Sequence, residues 1–147
     1  MSPANPKVLW QQNHCGVFRT SDGAQNWETI SQPGGPVYFG FPIAIDDENP
    51  DVAWVVPAVD AEFRVPVANA MVVCRTDDGG KSWQEFRAGL PQERCYDVVF
   101  RHALDVQRDT LAMGTVNGNL YLSDDRGESW CAVTHNLATV YSVRFTD

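Results

Sequence analysis

Thr76-Asp77-Asp78-Gly79-Gly80-Lys81-Ser82-Trp83 decides the reading of this chain, because the same octet occurs three times. A later copy is Ser123-Asp124-Asp125-Arg126-Gly127-Glu128-Ser129-Trp130, and an earlier one is Thr20-Ser21-Asp22-Gly23-Ala24-Gln25-Asn26-Trp27. Each reads hydroxyl-x-Asp-x-small-x-x-Trp. Copies about 50 residues apart, with apolar runs before and after, indicate propeller blades or another repeat array.

Each octet reads as a hairpin turn that supplies its own hydrogen bonds. The central Asp can accept from backbone N–H groups of the turn. Gly80 and Gly127 can take a positive φ with no Cβ in the way. The first copy has Ala24 at that place, which predicts a strained or altered turn. Each Trp is expected to cover its turn with a large apolar face. Thr20, Asp22, Trp27, Thr76, Asp78, Gly80, Trp83, Ser123, Asp125, Gly127 and Trp130 therefore read as structural, ahead of any catalytic or calcium-binding role.

The 147 residues are one domain's length, so residues 1–147 are read as a single domain. A net charge of −8 argues against nucleic acid or an anionic membrane as partner. No apolar run approaches the ~20 residues of a membrane helix. Met1 to Lys7 lacks the pattern of a signal peptide, and the expected location is cytoplasmic. Cys15, Cys74, Cys95 and Cys131 have no zinc-type spacing and are expected to be buried free thiols. No metal or cofactor is implied.

Gly and Pro punctuate the chain, and no stretch carries a helical period. A second recurrence, Asn5-Pro6-Lys7-Val8-Leu9-Trp10 against Asn49-Pro50-Asp51-Val52-Ala53-Trp54, starts a strand at matching places. Three units of four short strands follow. The first is Val8–Asn13, Gly16–Thr20, Trp27–Ser31 and Tyr38–Ile45. The second is Val52–Pro57, Met71–Thr76, Trp83–Ala88 and Tyr96–His102. The third is Thr110–Thr115, Asn119–Ser123, Trp130–Thr134 and Val140–Thr146. The predicted fold is all-β, with three four-stranded antiparallel blades.

The octets resemble the Asp-box, or bacterial neuraminidase repeat, S/T-x-D-x-G-x-x-W. Leu9–Arg19, Phe39–Ala44 and Glu62–Pro66 resemble segments of sialidase-like proteins that carry this repeat. The resemblance implies a β-propeller in which the box joins the last two strands of a blade. The run after each box then opens the next blade. On that phase Val140–Thr146 is a first strand without successors, and the blade begun by Val8 lacks its first strand. Two copies joined head-to-tail, each C-terminal strand completing the other's first blade, would make six blades. A homodimer is therefore expected, against the alternative of a fragment of a larger propeller.

Gln12, Asn13 and His14 form a polar cluster at a strand end, where propellers bind ligands. His14 reads as a general base, a metal ligand, a hydrogen-bond donor or a satisfied turn residue, and no spacing supplies the further ligands a metal would need. Glu62 and Arg64 lie in a connection about twelve residues longer than its counterpart, and long loops on rigid scaffolds often carry function. Phe63-Arg64-Val65-Pro66 is similar to the F/Y-R-I-P motif of sialidases, whose Arg holds a substrate carboxylate, although here it follows a box instead of preceding the first. The leading expectation is a non-catalytic binding or scaffolding module for a carbohydrate or protein ligand. A sialidase-like hydrolase is the alternative; it requires Arg64, two further arginines and a Tyr–Glu pair in one pocket.

Overall fold

The computed structural model describes residues 1–146. Eleven strands form three antiparallel sheets, and one 3-10 turn, Val67–Asn69, is the helical element among the described residues. Sheet 1 holds β1 (Leu9–Asn13), β2 (Gly16–Thr20) and β3 (Glu28–Thr29). Sheet 2 runs in order through β4 (Gly40–Ile45), β5 (Ala53–Pro57), β6 (Val73–Thr76) and β7 (Gln84–Phe86). Sheet 3 does the same through β8 (Leu104–Gln107), β9 (Thr110–Gly114), β10 (Leu120–Ser123) and β11 (Cys131–Thr134). Sheets 2 and 3 have four strands each, and those of sheet 2 fall on the runs expected. Sheet 1 has three among the described residues.

Each octet is the hairpin between the last two strands of its sheet. The hydroxyl of Thr76 donates to Asp78 (2.9 Å) and accepts from the Gly80 N–H (2.8 Å). Asp78 also accepts from the Ser82 N–H and hydroxyl. Ser123, Asp125, Gly127 and Ser129 repeat the same set. In the first octet Asp22 accepts from the Gln25 and Asn26 N–H groups, and Ala24 holds φ 72°. Gly80 and Gly127 stand at 90° and 84°. The turn survives Ala24, but in a region L-residues reach only with strain.

Two apolar seams join the sheets. Trp54, Val56, Val73, Leu111, Met113, Tyr121 and Trp130 pack together between sheets 2 and 3. Trp10, Val17, Ala53, Val55 and Cys74 pack between sheets 1 and 2. Sheet 2 is thus covered on both faces, and every residue of β5 is buried. The octet tryptophans differ in burial. Trp130 is 3% exposed and Trp83 half-buried, but Trp27 is 40% exposed and does not cover its turn as expected.

Three further expectations are corrected. Tyr96–His102 is not a strand, and only Asp97, Val98 and Val99 of it are buried; the first strand of sheet 3 is β8. Side chains anchor that run instead of a ladder: Asp97 accepts from Thr115 Oγ1 (3.1 Å) and Asn119 Nδ2 (2.6 Å). Val140–Thr146 joins no sheet. Cys74 and Cys95 are buried free thiols, but Cys15 and Cys131 are exposed.

Candidate functional site

The register fixes which loops share an end of the molecule. Leu9 pairs with Thr20, Ala53 with Thr76 and Leu111 with Ser123, so all three octets leave from one end. Asn13 pairs with Gly16 and Gly40 with Pro57, which places the Asn13–Gly16 turn, the 58–72 loop and the entry to β4 at the other end. Leu104 pairs with Met113, so the entry to β8 joins them. The octet aspartates are therefore remote from the loops that bear the polar candidates.

The structure brings three of the five sequence candidates together. His14 lies between two adjoining clefts. One, of about 340 Å³, also takes Glu62, Asp60, Tyr38 and Phe39 in its lining. The other, of about 390 Å³, is lined by His14, Phe41, Arg64, Phe100, Arg101, His102 and Tyr141. The remaining two candidates have other tasks. Asn13 Oδ1 accepts from the Cys15 N–H (2.7 Å) and holds the turn. Gln12 is buried beneath it, with Nε2 donating to the Asn13 carbonyl and Oε1 unpartnered.

The second cleft combines cations with aromatic faces. Phe100 and Tyr141 stack at 5.5 Å and 14°, and Tyr141 is 70% exposed. The Arg64 guanidinium lies over Phe41 at 5.9 Å, while its Nε donates to the Ala61 carbonyl. Phe39 supports Phe41 edge-on at 5.2 Å and faces His14 at 6.2 Å. Arg101 donates to the Gln12 carbonyl (3.4 Å). Arg19, Arg75, Arg87, Arg126 and Arg144 each pair with a carboxylate. Arg64 and Arg101 form no such pair among the described residues, and no Asp or Glu lines this cleft.

The octet carboxylates are committed to their turns. The Asn26 backbone and side chain, with Thr20, hold Asp22 down to about 2. The Ser82 hydroxyl and N–H do the same for Asp78, again about 2. Burial works against Asp125, yet bonds from Ser129 and Ser123 overcome it and hold that group at about 2. Carboxylates this acidic and this fully bonded are poor proton acceptors near neutral pH. Among the described residues no group of three or more His, Cys, Asp or Glu is placed to hold a metal ion.

Sequence reading missed Arg101, His102, Phe41, Phe100 and Tyr141 as lining residues. Their shared signal is position: Phe41 opens β4, Phe100 to His102 lead into β8, and Tyr141 leads the C-terminal run. All lie on the segments that enter the inner strands.

No protein-family model matches the chain, and no curated protein matches it. Solved structures do. The chain is similar to the GH74 xyloglucanase of Xanthomonas campestris, at TM-score 0.67 and 18% identity, over 89% of this chain and 19% of that one. It is similar to YCF48 in complex with D1 peptide, at 0.61 and 17%, over 95% and 44%. It is also similar to YCF48 from Cyanidioschyzon merolae, at 0.62 and 21%, over 93% and 36%. These are β-propellers. The chain has the fold of part of a propeller: all-β, three antiparallel sheets, spanning less than half the length of each of these structures. No helix among the described residues is long and apolar enough to cross a membrane.

Proposed function

We propose that the chain is a non-catalytic propeller module that binds a carboxylate-bearing ligand, an acidic peptide segment, in the cleft of Arg64, Arg101, Phe100 and Tyr141. The observation that carries this is that Arg64 and Arg101, neither paired with a carboxylate among the described residues, share one cleft with the exposed ring of Tyr141 and the half-buried ring of Phe100, in a chain of net charge −8. A guanidinium presents a planar fork of donors that suits a carboxylate. The stacked rings offer apolar faces for the body of the ligand. YCF48, one of the similar structures, is seen with a peptide bound.

Most glycoside hydrolases use two carboxyl groups across a site, sialidases with their Tyr nucleophile excepted, and this cleft has no carboxyl group in its lining. Arg64 does open into a cleft, as the sialidase alternative requires. That reading needs two more arginines and a Tyr–Glu pair in the same place. Arg101 is one, and Glu62 with Tyr38 lines the neighbouring cleft instead.

The test is calorimetric titration with short end-capped peptides that differ only in one side chain, Glu-Phe as the free acid and Gln-Phe as its amide. Binding of the free acid, weakened at least tenfold by Arg64→Ala or by Arg101→Ala, is the expected result. Equal binding of acid and amide would overturn it. Turnover of a fluorogenic sialoside, abolished by Arg64→Ala, would replace it with the hydrolase reading.

A further inference from the structure

The contact between sheets repeats with a defined chemistry. Sheet 1 presents the cross-strand pair Trp10 and Arg19 to the octet of sheet 2. There Trp83 meets Trp10 edge-on at 6.4 Å, and Arg19 pairs with Asp51. A Cβ on Gly80 would lie 3.3 Å from the Trp10 ring and 2.3 Å from Ile30. Sheet 2 presents Trp54 and Arg75 at the same register to the octet of sheet 3. Trp54 Nε1 donates to the Arg126 carbonyl (2.8 Å), and Arg75 bonds the same carbonyl and Glu128.

Sheet 3 breaks the series. At that register it places Ala112, itself buried, beside Leu122, which is 39% exposed. Cys131, paired with Leu122, is exposed too, and Leu120 is half-buried. At the opposite side of the array, no sheet among the described residues precedes the first octet. It is the octet with the exposed Trp27 and with Ala24 in place of glycine. Inside the chain the bulk lies on the sheet, as indole, and the gap on the octet, as glycine. At the two ends the pattern is inverted: the sheet has Ala112, and the octet has Ala24 and an unburied indole.

We infer that the outer face of sheet 3 receives the first octet of a second copy of this chain, head-to-tail, with Trp27 and Ala24 against Ala112 and Leu122. The interface continues the two inter-sheet contacts already present. The segment 140–145 supports it. It runs beside β8, with the Val140 N–H bonded to the Thr115 carbonyl and the Val143 N–H to the His102 carbonyl. The Phe145 N–H bonds the Asp105 carboxylate, and Val140 fills the space over Gly114. β4 lies beside β1, and β8 beside β4, in the same way. The segment therefore holds the place of the first strand of a following sheet. The outer edge of β1 carries no strand among the described residues. Segment 140–145 of one copy supplies that strand to the other. Two such contacts close a ring of six sheets, within the roughly four to eight of closed propellers.

The experiment is light scattering on size-exclusion fractions of the full chain, wild type and Leu122→Asp. The expected mass of the wild type is twice the 16.4 kDa of one chain, and that of Leu122→Asp is one chain with an unchanged far-ultraviolet spectrum. A second measurement uses Ala24→Cys with Leu122→Cys in a Cys15→Ser, Cys131→Ser background; oxidation should give a covalent dimer that reduction reverses. A wild-type monomer, any other mass, or a dimer that Leu122→Asp leaves intact with no crosslink formed would overturn the inference.

Discussion

The indole N–H of Trp54 donates to the carbonyl oxygen of Arg126 across the seam between sheets 2 and 3, 2.8 Å apart and 72 residues distant in sequence. Trp10 makes a similar long-range bond to the Pro50 carbonyl (3.0 Å). These donors fix how each sheet meets the next turn.

Removing such a donor while keeping an aromatic ring should cost stability. Trp54→Phe loses the bond and leaves part of a buried site unfilled, about 1–3 kcal/mol. Trp27→Phe, at an exposed site, should stay within about 0.5 kcal/mol. Urea unfolding followed by circular dichroism measures both, and equal losses would contradict the assignment of the seam.

Ala24→Gly should stabilise the chain. Left-handed backbone costs alanine roughly 1–2 kcal/mol, and glycine adds roughly 0.5–1 kcal/mol of chain entropy. The net gain is up to about 1.5 kcal/mol. Gly80→Ala goes the other way, by about 1–3 kcal/mol, because its Cβ would meet Ile30 at 2.3 Å. Urea midpoints of the two variants give both signs.

Acid should unfold the protein through the octets. Asp22, Asp78 and Asp125 are held down to about 2 in the folded chain by the hydrogen bonds of their turns, against 3.8 for an ordinary aspartate. Between those values the unfolded chain binds more protons than the folded one. The stabilisation is complete above pH 3.8 and is lost as pH falls toward 2. Urea midpoints measured from pH 7 downward should show the drop there. A double Asp78→Asn, Asp125→Asn variant should start less stable and show a shallower drop.

Thiol reactivity should split in two. Cys15 and Cys131 are exposed and should react with a disulfide reagent in the native protein. Cys74 and Cys95 should react only on unfolding. Burial pushes the Cys74 thiol up to about 12, which leaves almost no thiolate at neutral pH.

The octets were legible because each carries its turn within eight residues: hydroxyl, carboxylate and a small residue fix the hairpin locally. The first strand of sheet 3 was not. Val98 and Val99 look more strand-like than Leu104 to Gln107, but they are held by Asp97 bonds to Thr115 and Asn119 that no local pattern reveals. The candidate site was half legible. His14, Glu62 and Arg64 stood out by type and loop length, and the fold brings them to one end. Arg101 and Tyr141 are separated from Arg64 by one or two sheets' worth of chain, and their meeting depends on the curvature of the array. The uneven burial of Trp27, Trp83 and Trp130 has the same origin, since each depends on the sheet before it.

The most direct test of the repeated seam is hydrogen exchange at the five indole N–H groups, resolved by nitrogen-15 NMR. The account predicts slow exchange for Trp10, Trp54 and Trp130, whose N–H groups bond Pro50, Arg126 and Gly127, and Trp27 as the fastest of the five. A Trp54 indole that exchanges as fast as that of Trp27 would contradict it.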